Sequence, residues 1–228
     1  MKNERGLYFP DGDVKMIEYI DGEIAAGAPS FKGLPTFQFR KFAAVFPYIK
    51  NFRHYVDVGG HIALWARPLS YMFDRVTAFE PIPQFRECFE ENYPSEHRDD
   101  LTLHDVALGS AEGTVQFRVK PHNSGTTHIK TDQEIGQAEA RIVTLDSFEL
   151  TEVDFLKIDV EGYELAVIQG GKDTIKRCRP TIIVEQKPGN PDRYGFPPLG
   201  AVDLLKSWGY EQCMEWSGDY GLKYLRKK

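Results

Sequence analysis

The chain has few cysteines, no long apolar run and little clustered basic charge, and each shortage excludes a class of protein. Its three cysteines are scattered, without the spacing of a zinc site or of a disulfide framework. They predict reduced thiols in a cytoplasmic protein. No apolar stretch approaches the roughly 20 residues that cross a bilayer, and the first residues lack the apolar core of a secretory signal. We therefore expect no membrane partner.

The net charge of −6 makes nucleic acid an improbable partner, because phosphate binding needs clustered Lys and Arg. The basic cluster Arg226-Lys227-Lys228 is interpreted as a solvated end. A length of 228 residues with 41% hydrophobic residues suits one globular unit. We predict an N-terminal arm and cap helix over 1–50, a main domain over 51–228, and leave a homo-oligomer open.

Glycine and proline recur at short intervals through 1–35, which predicts an irregular arm with a short strand near 15–20. Aromatic residues at near-helical spacing predict a helix over about 36–50. Strands and helices then alternate. The predicted strands are 55–58, 76–80, 101–108, 114–119, 141–145, 153–159, 181–185, 210–216 and 222–225. The predicted helices are 62–73, 83–93, 164–176 and 203–208.

Repeated β-α units that end in a hairpin predict an α/β fold, a doubly wound and mostly parallel sheet with helices on both faces. In such sheets, ligands bind beyond the carboxyl ends of the strands. Asp57 and the pair Gly59-Gly60 end the first strand of the main domain, and Glu80 ends the next. Glycines allow a ligand close to the backbone, and an acid at the next strand end can accept hydrogen bonds from ribose hydroxyls.

The glycine turn lacks the third glycine of a dinucleotide site, since it reads Gly59-Gly60-His61-Ile62-Ala63. Asp57 would repel a pyrophosphate but suits the ammonium of a methionine moiety. These features favour S-adenosylmethionine as cofactor. A tight turn with no ligand is the alternative for the glycines alone.

Three further acids follow neighbouring strands at the same predicted edge. Asp159 and Glu161 follow a strongly apolar strand, and Glu185 ends the next one. A buried carboxylate needs a partner, so we predict Asp159, Glu161 and Glu185 as catalytic residues, with Asp159 as the base or a metal ligand. Asp159 and Glu185 could hold a divalent metal such as Mg²⁺. Glu164 is interpreted as a cap of the following helix, and the same role is the alternative for Glu161.

The chain resembles the FkbM family of S-adenosylmethionine-dependent methyltransferases. The resemblance rests on ordered blocks over about 54–190. These are Asp57-Val58-Gly59-Gly60-His61-Ile62-Ala63, Ala78-Phe79-Glu80-Pro81, Val106-Ala107-Leu108-Gly109, Asn123-Ser124-Gly125, Thr144-Leu145-Asp146-Ser147, Lys157-Ile158-Asp159-Val160-Glu161-Gly162-Tyr163-Glu164 and Pro180-Thr181-Ile182-Ile183-Val184-Glu185.

The resemblance implies a class I, Rossmann-like methyltransferase fold with about seven strands, the last of them antiparallel. It implies O-methylation of a hydroxyl on a sugar or small metabolite. By position, cofactor contacts would come from Asp57, Gly59, Gly60, His61, Glu80, Asp105, Val106 and Asp159. Asp105 would meet the adenine amino group, and Asp159 would lie beside the sulfonium and the acceptor.

The first block departs from the Gly-Ala-Asn-Ile-Gly common in the family. His61 replaces an amide, and Ala63 adds a methyl group at a close-packed turn. Two other functions stay open. One is an RNA ribose 2′-O-methyltransferase, which Lys157, Asp159, Glu185 and Lys187 would serve; the other is a catalytically inactive binding protein of the same fold.

Overall fold

A seven-stranded sheet organises the computed structural model, which describes residues 1–225. The predicted cluster at residues 226–228 lies outside the described residues. The strands of the whole chain are β1 (Lys2–Glu4), β2 (Leu7–Phe9), β3 (Ser30–Phe31), β4 (Leu34–Pro35), β5 (His54–Val58), β6 (Arg75–Phe79), β7 (Leu101–His104), β8 (Ala107–Leu108), β9 (Gly113–Arg118), β10 (His128–Ile129), β11 (Ala138–Val143), β12 (Val153–Ile158), β13 (Thr181–Glu185), β14 (Tyr210–Trp216) and β15 (Asp219–Tyr224).

Helices lie against both faces of this sheet. They are α1 (Val14–Ala25), α2 (Phe39–Val45), α3 (Ala66–Leu69), α4 (Pro83–Asn92), α5 (Glu164–Gly170), α6 (Lys172–Cys178) and α7 (Gly200–Ser207). Alternate residues of β5 face opposite layers, as a central strand requires. Val56 and Val58 share one buried cluster with Val167 of α5, whereas Tyr55 shares a second cluster with Phe89 of α4.

The main sheet has the order β14-β15-β13-β12-β5-β6-β7. The pairs from β13 to β7 are parallel, and β15 runs antiparallel to both of its neighbours. The predicted fold class and the antiparallel last strand are thereby confirmed. A second sheet, β10-β9-β11-β8, contains the strands predicted over 114–119 and 141–145.

The predicted strand near 15–20 is wrong, because this segment lies within α1. Asp13 caps the helix by accepting a hydrogen bond from the Met16 backbone N–H at 3.2 Å. Met16 and Ile20, four residues apart, are the buried residues of α1. Their spacing is helical rather than alternating.

Three predicted elements are interrupted where the chain turns. The segment 101–108 forms β7 in the main sheet and β8 in the second sheet, with exposed Asp105 between them. Within 62–73 only α3 is α-helical, because Ala63 lies in a turn at φ +65°. The helix over 164–176 divides into α5 and α6 at Gly171, which packs against Leu145.

Candidate active site

The parallel strands β5, β6 and β12 end at one edge of the sheet, and the residues after them meet there. Both Gly59 and Gly60 donate their backbone N–H to the carbonyl of Phe79, at 3.1 and 3.0 Å. Asp159 donates its backbone N–H to the Val58 carbonyl at 3.1 Å. A cavity of about 610 Å³ opens at this edge, and we call it the site cavity.

The lining of the site cavity contains most of the predicted cofactor residues: Asp57, Gly59, Gly60, His61, Glu80, Val106 and Asp159. Asp105 is exposed and is not part of the lining. Its predicted contact with adenine therefore stays a prediction, and the structure does not bring Asp105 to the other residues. Of the predicted catalytic residues, Asp159 and Glu161 line the cavity, and Glu185 lies behind it.

Position 59 requires glycine for two reasons, its φ of +79° and the lack of space for a side chain. A Cβ atom on Gly59 would lie 2.0 Å from the backbone oxygen of Asp159, a distance that no side chain could tolerate. A Cβ atom on Gly60 would lie 3.0 Å from the Phe89 ring, which can adjust. The first glycine of the turn thus allows the ends of β5 and β12 to approach each other.

His61 and Ala63 both adopt left-handed backbone conformations, with φ of +50° and +65°. This region favours glycine, and a residue with a Cβ atom is uncommon in it. Ala63 is also completely buried. The turn therefore keeps a glycine-like backbone although these two positions carry side chains.

Glu80 is buried at the end of β6, and both of its carboxylate oxygens accept backbone hydrogen bonds. Oε2 accepts from the His61 N–H and Oε1 from the Ile82 N–H, each at 2.9 Å. Burial outweighs these two bonds and the Arg86 charge, and raises the pKa of Glu80 to about 7. Its charge therefore changes near neutral pH.

Asp57 and Lys157 form a buried ion pair beneath the glycine turn. Lys157 Nζ lies 3.1 Å from Asp57 Oδ1 and donates to the Gly59 carbonyl at 3.1 Å. Burial raises the pKa of Asp57 although Lys157 opposes the shift. The sequence prediction paired Asp57 with a ligand ammonium and considered Lys157 only for the RNA alternative, so the ion pair between these two residues was not predicted. The signal for it was a lone lysine within the apolar strand β12.

The predicted catalytic acids do come together. Asp159, Glu161 and Glu185 each offer a carboxylate oxygen within 4.8 Å of the others, and we call them the carboxylate cluster. Lys187 forms an ion pair with Glu185, and its Nζ lies 3.8 Å from Glu161 Oε1. This ammonium group already supplies positive charge to the cluster, so the predicted Mg²⁺ stays a prediction.

The members of the carboxylate cluster have different proton affinities. Burial opposes ionisation of Asp159, but Lys157, Lys187 and Lys41 outweigh it and hold the pKa of this carboxyl below its usual range. Burial and the nearby Asp159 charge raise the pKa of Glu161 to about 7. Burial and the same charge raise the pKa of Glu185 well above its ordinary value. Near neutrality, Glu161 is therefore the member best suited to exchange a proton.

Glu164 binds backbone rather than facing the site cavity. Its Oε1 accepts from the N–H groups of Val160 and Gly162, at 3.2 and 2.8 Å. Glu164 lies in the first turn of α5, but the N–H groups that it binds precede the helix, and α5 has no side-chain cap hydrogen bond, so the predicted cap is not formed. These bonds fix the loop that carries Glu161.

The N-terminal arm closes one side of the site cavity. Met16 and Tyr19 of α1 and Lys41 of α2 contribute to its wall. Lys41 makes a buried ion pair with Asp219 at the start of β15. The sequence did not predict this contact, which joins residues 178 positions apart.

A second contact between the arm and the site runs through side chains. His61 Nε2 lies 2.6 Å from Ser124 Oγ, and Ser124 Oγ also contacts Asp13 Oδ2. Sequence reasoning gave Asp13 and Ser124 no role in the site. Only the fold shows that they are neighbours of His61.

Comparison with known proteins identifies the family to which this architecture belongs. The methyltransferase FkbM domain model matches residues 57–211, more than half of the chain. The chain belongs to the FkbM methyltransferase family. The match includes the glycine turn, Glu80 and the whole carboxylate cluster.

Relatives of this FkbM protein include Methyltransferase 1 of Beauveria bassiana (strain ARSEF 2860). The two are 24% identical over 186 residues, which cover 70% of this chain and 73% of the fungal protein. The membership and this relative agree on methyl transfer as the reaction class.

Two crystal structures show the same class I methyltransferase fold. Methyltransferase FkbM from Methylobacillus flagellatus KT aligns with a TM-score of 0.52 at 16% identity, over 76% of this chain and 43% of that one. The present chain thus spans less than half the length of that protein. Precorrin-6y C5,15-methyltransferase from Geobacter metallireducens GS-15 aligns with a TM-score of 0.50 at 14% identity, over 89% and 95% of the two chains.

Proposed function

We propose that this FkbM protein transfers a methyl group from S-adenosylmethionine to a hydroxyl oxygen of a sugar or another small metabolite. The observation that carries the proposal is the site cavity, where the glycine turn, buried Glu80 and Asp159 meet at the carboxyl edge of a parallel sheet. Its volume, about 610 Å³, lies within the range of roughly 300–1,000 Å³ that is usual for small-molecule sites.

The lining fits the cofactor at both of its polar ends. The buried carboxylate of Glu80 is placed to accept hydrogen bonds from ribose hydroxyls, as acids at this position of the sheet class do. Asp57 is also part of the cavity lining and is the acidic partner of Lys157 beneath the glycine turn, so it places negative charge on the side of the cavity where a ligand ammonium would lie.

Bound S-adenosylmethionine would supply a methyl group activated by its sulfonium. The protein must then align an acceptor oxygen with this group and remove the acceptor proton. Asp159, kept ionised by three lysines, provides negative charge beside the reaction. Glu161, whose pKa of about 7 matches neutral conditions, is the base that we assign to the acceptor hydroxyl.

The walls of the site cavity favour a small acceptor with both apolar and polar parts. Tyr19, Phe37 and Trp216 contribute aromatic surface, and Asp159 and Glu161 contribute the polar end. Aromatic faces combined with hydrogen-bonding acids are suited to a hydroxylated ring.

Two measurements test the proposal. Calorimetry with S-adenosylmethionine should give saturable binding, and incubation with methyl-labelled cofactor and fractionated hydroxylated metabolites should give a labelled product. The labelled product should resist mild alkaline hydrolysis, as an ether does and a methyl ester does not. Absence of cofactor binding would contradict the proposal and favour the inactive binding protein.

The role of Glu161 has its own test. The E161Q variant keeps the shape and the hydrogen-bond acceptor oxygen of this side chain but removes the base, so we expect turnover to fall about 10²–10⁴-fold. Cofactor affinity should stay close to that of the native protein. The native rate should also decline below pH 7, and a variant that retains native turnover would exclude this assignment.

One observation supports the alternative function, an RNA ribose 2′-O-methyltransferase. Lys157, Asp159, Glu185 and Lys187 lie in one cluster. Both lysines, however, are already paired with acids, Lys157 with Asp57 and Lys187 with Glu185. Filter binding to RNA at low and moderate salt separates the two functions, and salt-sensitive binding would favour the alternative.

A further inference from the structure

Asp13, Ser124 and His61 form a hydrogen-bond chain that starts in the N-terminal arm and ends in the site cavity. Asp13 Oδ1 accepts from the Met16 N–H at 3.2 Å, and its Oδ2 contacts Ser124 Oγ. Ser124 Oγ lies 2.6 Å from His61 Nε2. Asp13 and Ser124 are almost completely buried, with 2% of each exposed.

Burial raises the pKa of Asp13, and its hydrogen bonds with Ser124 and the Met16 N–H oppose that shift. The hydrogen-bond chain has a direction when this carboxyl is ionised, because an ionised carboxylate can only accept. Ser124 therefore donates its single hydroxyl proton to Asp13. The Ser124 oxygen must then accept from His61, so the His61 proton resides on Nε2. In a neutral imidazole, the other nitrogen, Nδ1, is then an acceptor.

Four observations indicate that Nδ1 of His61 faces the site cavity. His61 is part of the cavity lining, and the residue is partly exposed. Among residues 1–225, the hydrogen bonds of its ring use only Nε2, and Nδ1 is not one of the buried atoms that lack a partner. Burial also lowers the pKa of His61 to about 4, so the ring is neutral at physiological pH.

We propose that Asp13 and Ser124 are positioning residues that set the tautomer of His61, so that His61 Nδ1 accepts a hydrogen bond from a hydroxyl of the bound ligand. The inference rests on the proposed function and extends it to the arm. The hydroxyl belongs either to the cofactor ribose or to the methyl acceptor. The arm therefore takes part in recognition, beyond covering the cavity.

The D13N variant tests this directly. Asparagine preserves the cap of α1 but reverses the donor and acceptor roles along the hydrogen bonds from residue 13 through Ser124 to His61. Its amide oxygen can still accept from the Met16 N–H. Its amide nitrogen now donates to Ser124, so Ser124 must donate to His61 Nε2, and the His61 proton moves to Nδ1. The site would then present a donor where the ligand also presents a donor.

The first readout is the tautomer of His61, from the ¹⁵N and ¹H resonances of its imidazole in the free protein. We expect an Nε2–H tautomer in the native chain, an Nδ1–H tautomer in D13N and a mixture in S124A. The matched control is D21N, which removes a carboxylate from the exposed side of the same helix. D21N should leave the native tautomer unchanged.

The second readout is the affinity for S-adenosylhomocysteine, which carries the ribose hydroxyls but no methyl group. A fall of about tenfold or more in D13N, with no change in D21N, would assign the hydroxyl to the ribose. An unchanged affinity with a raised KM for the acceptor would assign it to the acceptor. If both affinity and KM are unchanged while the tautomer reverses, the recognition role is excluded.

An Nδ1–H tautomer in the native protein would overturn the proposal outright. The tautomer is measured without any ligand, so it stays informative even if the protein binds no S-adenosylhomocysteine. A lack of S-adenosylhomocysteine binding would contradict the proposed function and not the tautomer assignment. Thermal unfolding of each variant shows whether the fold is preserved, and S124A provides a second disruption of the chain if D13N does not fold.

Discussion

Single residues at the carboxyl edge of the sheet owe their properties to burial. Glu80, Asp57 and Glu161 are ordinary carboxylates in the sequence, yet the folded chain encloses all three. Removing a carboxylate from water disfavours its charged form. Which of them ionises at neutral pH then depends on the neighbouring charges, and these differ at each position.

Cofactor binding should depend on pH through Glu80. Its pKa of about 7 in the free protein means that Glu80 is protonated below this value, and a carboxylate that accepts from two ribose hydroxyls must be ionised. We expect the affinity for S-adenosylmethionine to be nearly constant above about pH 8 and to fall below pH 7 by up to about tenfold for each pH unit. Calorimetry across pH 5.5–8.5 measures this.

The control for that measurement is E80Q, which has no charge to titrate. Its affinity should be lower than the native one at pH 8 and should show a much smaller change with pH. An equally steep dependence in E80Q would show that another group is responsible.

Lys157 should be far more important for stability when Asp57 is present. The K157M variant leaves a buried carboxylate without its counter-charge, which typically costs about 3–5 kcal/mol. We expect urea unfolding to show a loss of this size. The double variant D57N/K157M removes the uncompensated charge and should recover much of the loss; if it is no more stable than K157M, the ion pair is not the cause.

At the scale of elements, the site depends on how closely strand ends approach. The glycine turn joins β5 to the segment before α3, and it also touches the residue that follows β12. The turn thus serves both as a candidate ligand contact and as a spacer between strands. The two roles make different demands on Gly59 and Gly60.

G59A should therefore be much more destabilising than G60A. In G59A a methyl group would collide with the Asp159 carbonyl and occupy a left-handed backbone position, and we expect a loss of about 3 kcal/mol or more. In G60A the new methyl group meets the edge of the Phe89 ring, and we expect about 1–2 kcal/mol. Urea unfolding of both variants gives the comparison, and equal losses would contradict it.

At the scale of the whole molecule, several buried glutamates make stability dependent on pH. Burial raises the pKa of Glu80 to about 7, of Glu161 to about 7 and of Glu164 to about 8. In the unfolded chain each would titrate near its ordinary value of about 4.3. The folded state therefore binds more protons than the unfolded state through neutral pH.

We expect the free energy of unfolding to fall as the pH rises from 6.5 to 8.5. A raised carboxyl pKa contributes stability that is complete below the unfolded pKa and is lost as the pH rises through the folded pKa. Each group contributes at most about 1.4 kcal/mol per pH unit. Burial lowers the pKa of His61 to about 4 and also lowers the pKa values of His54 and His104. These histidines act in the opposite direction while the unfolded imidazole, with an ordinary pKa of about 6.5, is partly protonated, so their effect fades by about pH 7.5.

Urea titrations at several pH values between these limits measure the trend. The denaturant dependence should stay constant, which would show that the extent of unfolding does not change. The triple variant with glutamine at positions 80, 161 and 164 should show a smaller slope. A native free energy of unfolding that rises across the window would contradict the expectation.

The described part of the chain, residues 1–225, contains no helix long and apolar enough to cross a membrane. The division into an arm over 1–50 and a main domain stays a prediction. The buried residues Leu7, Phe9 and Met16 of the arm share one hydrophobic cluster with Ile62 and Phe85 of the main domain.

The sequence by itself determined the sheet and its functional edge. Apolar strands alternating with helices fix a parallel α/β order, and Gly59, Glu80 and Asp159 follow directly from strand ends. These are local relations, in which the residue that matters stands next to the element that positions it. The same locality places Glu164 in the first turn of α5.

Only the tertiary structure decided which side chains form ion pairs, which share hydrogen bonds and which line the site cavity together. Lys157 reaches Asp57 across 100 positions, and Ser124 reaches Asp13 across 111. No local pattern encodes such contacts, because they depend on how the sheets and the arm pack together. The pKa values of the site, and the direction of the Asp13–Ser124–His61 chain, exist only after folding has excluded water from these groups.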